Sequence, residues 1–166
     1  MDLETIRTLY DYHYWATDRI LAATEQITDA QFTTSKGHSF DTVQGTLVHL
    51  MNSEKMWLER WHHQPNEAAL DPKNFSMLTE VRMYWDMLHM KMAKFLEELT
   101  PDRLKEVVHY TNLEGKKFQY PLWQMMTHVI GHGTHHRSEV STMLTEFGHA
   151  NEHIDMIVYF RVKSGQ

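Results

Sequence analysis

The sequence predicts an all-α fold, a four-helix bundle with a small β-hairpin ahead of its last helix. Three observations lead there. Apolar residues recur at spacings of three and four in four separate long segments, the mark of helices that each bury one face. One stretch, VVHYTNLEGKKFQY over 107–120, turns β-prone around a Glu114-Gly115 pair and reads as a hairpin. The length of 166 residues suits one core rather than two, so a single domain over 1–166 is expected.

The first helix is predicted from about Leu3 to Ile27, because Ile6, Leu9, His13, Ala16, Ile20, Ala23 and Ile27 alternate spacings of three and four. TDAQF and SKGHSF then break the pattern, and Ser39 or Asp41 is placed to cap a second helix from Thr42 to His62 or His63. Val43, Leu47, Leu50, Met51, Leu58 and Trp61 lie along its apolar side. After the polar connection QPNEAALDPKN, a third helix starts near Ser76 and carries Val81, Trp85, Leu88, Met92, Phe95, Leu96 and Leu99 up to Pro101. Beyond the hairpin a fourth helix runs from Leu122 to Phe147, with Gly148 in the C-cap position. The tail DMIVYFRV packs as a short strand or a last helical turn; its pattern does not choose. Four such helices pack most simply as a bundle.

Composition narrows the function. A net charge of -6 without a basic stripe argues against nucleic acid as a partner. No run of 18 apolar residues occurs and MDLETIRTLY carries acids where a secretory leader would carry bases, so a cytoplasmic protein with no membrane partner is expected. With no cysteine in the chain, a disulfide framework, a thiolate zinc site and a cysteine nucleophile are excluded. Any thiol would come from outside.

The segment HVIGHGTHHRSEV, residues 128–140, holds four histidines. The stripe of Leu122, Met125, Met126, Val129, Val140, Met143, Leu144 and Phe147 needs none of them. Extended through the middle, it lands on His132, Gly133 and His136, with His128 and His135 about 100° to one side. His132 and His136 therefore face inward one turn apart, the spacing at which two imidazoles on one helix reach a single cation. Two buried imidazoles cannot both be charged without cost, and both still need partners. Two ligands do not make a site, and such pairs are also satisfied by carbonyls, waters or carboxylates. For a third ligand His49 is the best candidate, on a face with Gly45, Thr46, Ser53 and Met56 that could line a cavity. His13 competes with it, and is read more readily as a hydrogen-bonded core residue. Gly133 gives a facing helix or a ligand room to approach. Glu54 lies more than a turn from His49, and its expected role is an ion pair or hydrogen bond near Arg137 or Trp57. No residue is assigned a catalytic role.

Taken together, LYDYHYWATDRIL, GTLVHLMNSEKMWLERW, PLWQMMTHVIGHGTHHRSEVSTML and DMIVYFR resemble the DinB damage-inducible family of bacterial four-helix-bundle proteins, and the likeness covers nearly the whole chain. The resemblance implies a divalent cation, usually nickel or zinc, held by three histidines that correspond to His49, His132 and His136. It implies a possible homodimer, and relatives that are thiol-dependent transferases or isomerases. Three neutral imidazoles leave open coordination positions, as catalytic sites do. The expected function is thus a metal-dependent activation of a low-molecular-weight thiol or of water acting on a small-molecule substrate. The alternative is a non-catalytic metal-binding protein of a stress response. Many relatives have glycine and glutamine after the His-Arg pair; Ser138 and Glu139 stand there in this chain and put a charge beside the site.

Overall fold

The computed structural model describes residues 1–65, 68–112, 114–149 and 153–166. In chain order it contains α1 (Leu3–Thr24), a one-turn α2 (Asp29–Phe32), α3 (Val43–Trp61), a 3-10 turn (Pro72–Asn74), α4 (Leu78–Glu98), α5 (Pro101–Lys105), β1 (Val107–Thr111), β2 (Lys117–Pro121), α6 (Leu122–Glu146) and α7 (Met156–Ser164). The predicted bundle consists of α1, α3, α4 and α6. Helix α6 lies between α1 and α3, and α4 closes the ring against both. Their stripes meet in a core that includes Ile6, Ile20, Leu47, Leu50, Met51, Trp61, Val81, Met92, Leu122, Met126 and Val140. No helix among the described residues is long and apolar enough to cross a membrane.

Chemistry at the helix ends explains the boundaries. Asp2 caps α1 by accepting from the Thr5 amide, and Pro101 opens α5 behind the Thr100 cap, where its missing N–H costs nothing. The cap of α3 is Thr42, whose hydroxyl accepts from the Gly45 amide at 2.8 Å, rather than Ser39 or Asp41. Both of those side chains are committed elsewhere: Asp41 accepts from Ser35 and Gly37 and sits at φ 66°, while Ser39 donates to Glu139.

The hairpin pairs Val107 with Pro121 through Thr111 with Lys117, and Gly115 takes the positive φ of 81° that the turn requires. The stretch TDAQF, read as a break, holds one helical turn, α2. Its capping box joins Thr28 and Gln31, a four-residue feature too short for apolar periodicity to register. The tail is helical: α7 packs on α1 by burying Tyr159 against Tyr12 and Trp15.

Candidate metal centre

Because α6 lies between α1 and α3, its inward face is divided. His132 and His136 turn toward α3, where His49 meets them; Gly133 and Arg137 turn toward α1. The Nε2 atoms of His49 and His132 lie 3.0 Å apart. The His136 ring centroid is 4.6 Å from that of His49 and 4.5 Å from that of His132. Each of the three residues offers a ligand nitrogen within 4.8 Å of the other two. With metal–nitrogen bonds of about 2.0–2.1 Å, two imidazoles on one ion hold their nitrogens roughly 3.0–3.4 Å apart, so the spacing fits a shared cation. Imidazole donors suit zinc, nickel, copper and iron.

Electrostatics fit too. Burial, then the neighbouring His136, hold the His49 imidazole down to about 4, and burial with the surrounding histidines holds His132 at about 3. Both rings are neutral at pH 7, the form in which imidazole ligates. Since these folded values lie below the ordinary 6.5, the unfolded chain takes up more protons as pH falls. The stability of metal-free protein is therefore expected to be fully present above about pH 6.5 and to be lost progressively toward about pH 3. Urea midpoints measured after chelator treatment check this, and replacing both His49 and His132 with alanine should flatten the slope.

His136 is oriented from its far side. Its Nδ1 donates to Glu139 Oε2 at 2.7 Å, and Ser39 donates to Glu139 Oε1 at 2.8 Å. Burial alone would raise the Glu139 pKa, but the bonds from His136 and Ser39 outweigh it and lower the value. With Nδ1 carrying the proton, Nε2 is left as the donor atom facing the other histidines, the carboxylate–imidazole arrangement common behind metal ligands. Phe40, in the same loop as Ser39, stacks on His49 with ring centroids 3.7 Å apart and meets His136 edge-on at 5.3 Å. Gly45 permits this approach, since a Cβ there would collide with the Phe40 carbonyl. The face of small residues around His49 is thus packed rather than hollow: Thr46 and Ser53 are buried. His135 is exposed and pairs with Glu139 at 3.5 Å. His128 is exposed too, and its ring lies 5.8 Å from that of His132.

On the α1 side the competing candidate, His13, is fully engaged and only 1% exposed. Its Nδ1 lies 3.1 Å from Arg137 Nη1, and its Nε2 lies 2.8 Å from Glu54 Oε1. Arginine can only donate, so Nδ1 accepts and the proton sits on Nε2, donated to Glu54. The tautomer follows from the partners. Burial holds His13 below its ordinary value against the pull of Glu54. Tyr14 donates to the other Glu54 oxygen at 3.0 Å, and Arg137 also donates to Thr17 and Thr134. A neutral imidazole thus links a buried guanidinium to a buried carboxylate: Glu54 accepts hydrogen bonds as expected, but from His13 and Tyr14, and it reaches Arg137 only through the His13 ring.

Gly133 exists for this contact. A Cβ there would overlap the His13 ring and lie 2.8 Å from Arg137 Nη1. Gly133→Ala gains about 1 kcal/mol of helix propensity but overpacks a hydrogen-bonded core, at about 1–3 kcal/mol or more, so a lower Tm is expected. Gly131 on the same helix has nothing within 4 Å of its Cβ position. Gly131→Ala should raise Tm by a few degrees, and a thermal melt of the pair reads both signs.

Sequence reasoning placed the three histidines together and missed Ser39 and Phe40 as their neighbours. Neither carries a signal, since Ser39 meets Glu139 across 100 positions. The family model for the DinB family matches residues 1–164. The chain is also 22% identical over 158 residues to Protein DinB of Bacillus subtilis (strain 168), covering 91% of each chain. A bundle with three converging imidazoles and a likeness running from end to end lead to one assignment: this chain belongs to the DinB family.

Proposed function

We propose that His49, His132 and His136 hold a divalent cation, nickel or zinc, and that this centre serves a metal-dependent enzyme acting on a small-molecule substrate. The observation carrying the proposal is the 3.0 Å approach of two neutral imidazole nitrogens from different helices, with a third beside them. A bound ion of this kind supplies Lewis acidity, lowering the pKa of a water or holding a thiol as its thiolate. The chain's own residues then have defined parts. Glu139 keeps the His136 proton on Nδ1 and fixes the ring, Ser39 fixes Glu139, and Phe40 shields the His49 ring from water. Three protein ligands leave positions for a thiol or a water, and with no cysteine in the chain a thiol nucleophile would be a low-molecular-weight compound. Thiol transfer and hydrolysis are the two reactions such a centre supports.

The experiment is to load the protein with zinc or nickel and incubate it with a panel of low-molecular-weight thiols and a model electrophile, following thiol loss. Ester and amide substrates are assayed in parallel. Thiol loss that requires metal supports the transferase, and hydrolysis supports the water-activating form. The coverage of His49 by Phe40 favours a second reading, a non-catalytic metal-binding protein of a stress response. Metal uptake with neither reaction supports that one. The family resemblance also motivates a homodimer, which light scattering tests.

A further inference from the structure

We propose that the hollow beside Arg60, in the last turn of α3, binds a small-molecule oxyanion, a carboxylate or phosphate group. Arg60 is only 6% exposed. Its guanidinium lies against two ring faces, 4.7 Å from the Trp57 centroid and 4.4 Å from that of Tyr110. Ring faces stabilise the cation, but they accept nothing from the N–H groups along its edge. Nε is buried without a hydrogen-bond partner, and no carboxylate, carbonyl or hydroxyl among the described residues takes its protons. The nearby acids have other cations: Glu59 pairs with Lys55 at 2.6 Å, and Glu106 pairs with Arg103 and His63. A buried, unpartnered Nε is shared with Arg19, Arg82 and Arg137; what sets Arg60 apart from Arg82 and Arg137 is that their terminal nitrogens are bonded, in Arg82 to Glu25. Arg137 donates to His13, Thr17 and Thr134, and Arg103 donates to the Trp61 carbonyl.

Arg60 opens on a cavity of ≈ 490 Å³ that His63, His109, Thr111 and Asn112 also line, and none of its described lining residues is acidic. In a chain of net charge -6, a buried guanidinium with hydrogen-bonding neighbours and no carboxylate bonded to it among the described residues suits an anion from outside. The planar fork matches a carboxylate or phosphate edge with two parallel bonds, and the imidazole and hydroxyl groups of the walls can take the remaining oxygens. Eleven residues separate Arg60 from His49, roughly 16 Å along α3. The site is therefore separate from the histidine centre and does not depend on the metal reading.

The test uses the full chain labelled with ¹⁵N-arginine, titrated with sodium phosphate and with sodium benzoate at constant ionic strength in chloride. The Arg60 Nε signal, identified by its absence in Arg60→Met, is expected to shift saturably with a millimolar Kd. Binding to the variants is followed from the probe's side, by ³¹P line broadening of phosphate and ¹H saturation transfer to benzoate: Arg60→Met should abolish it while its stem keeps packing on Trp57 and Tyr110, and His109→Ala, at an exposed position, should weaken it several-fold. His132→Ala should leave it unchanged. The stronger of the two probes identifies the head group. A signal unmoved by either probe, a shift that chloride reproduces, or binding that survives in folded Arg60→Met overturns the proposal. Loss of binding in His132→Ala does the same, because the anion would then sit at the histidines. If Arg60→Met does not fold, the wild-type titration and His109→Ala decide.

Discussion

Replacing Glu54 with alanine is expected to cost on the order of 3–5 kcal/mol, the range for removing one partner from a buried charge network. Three groups lose what satisfies them. His13 Nε2–H and the Tyr14 hydroxyl lose their acceptor, and the Arg137 guanidinium, 1% exposed, loses the carboxylate that balances it through the His13 ring. No water reaches them readily, since His13 and Glu54 are 1% and 2% exposed. For a chain of this size the loss corresponds to a fall in Tm of roughly 10 °C or more. Glu54→Gln retains an oxygen that can accept one bond but leaves Arg137 without an anion, so it should fall between alanine and wild type. Equilibrium urea unfolding of the three proteins measures the order. If Glu54→Ala stays within 1 kcal/mol of wild type, roughly the worth of a single neutral hydrogen bond, the charge balance described for this core is wrong. The damage should reach the candidate metal centre too, because Arg137 follows His136 directly and the network holds that turn of α6 against α1.

The same network marks how far the sequence could be read. Helical spacing alone put His132, Gly133 and His136 on the inner face and His128 and His135 outside it, because a stripe of period 3.6 is a local property that tertiary packing rarely overrides when it is long. It could not say that the inner face splits between two neighbours. That division follows from the place of α6 between α1 and α3, which no local pattern records, and it decides that His49 meets the pair while His13 is bonded to Arg137 and Glu54. Ser39 and Asp41 looked like helix caps because their side chains suit that task. Long-range partners, Glu139 for Ser39 and a turn within 35–41 for Asp41, drew them away. The pattern of the tail fits strand and helix alike because its six apolar residues, three of them β-branched, suit both periods. Packing of Tyr159 on α1 accompanies the helical outcome.

His132→Ala is the change expected to affect function most. His132 Nε2 lies 3.0 Å from His49 Nε2, and removing one of the three proposed ligands should weaken zinc or nickel binding by on the order of a hundredfold or more, at or beyond the 10–100-fold typical when a group behind a ligand is lost. Glu139→Gln tests that smaller effect, since an amide in place of the carboxylate weakens the bond that fixes the His136 proton on Nδ1. His128→Ala, at a ring 5.8 Å from His132 and turned outward, should change affinity little. Competition with a metallochromic chelator ranks the four proteins, and thermal melts give an independent reading. Ligand binding to the folded state stabilises by about 4 kcal/mol when the free metal exceeds Kd a thousandfold, so wild type should gain several degrees on metal addition and His132→Ala should gain almost none. Comparing each variant with its own metal-free melt removes any packing effect of the substitution. Equal metal affinity in wild type and His132→Ala would mean that the close approach of the three imidazoles is a hydrogen-bonded histidine cluster, with His49 and His132 sharing one proton between their Nε2 atoms.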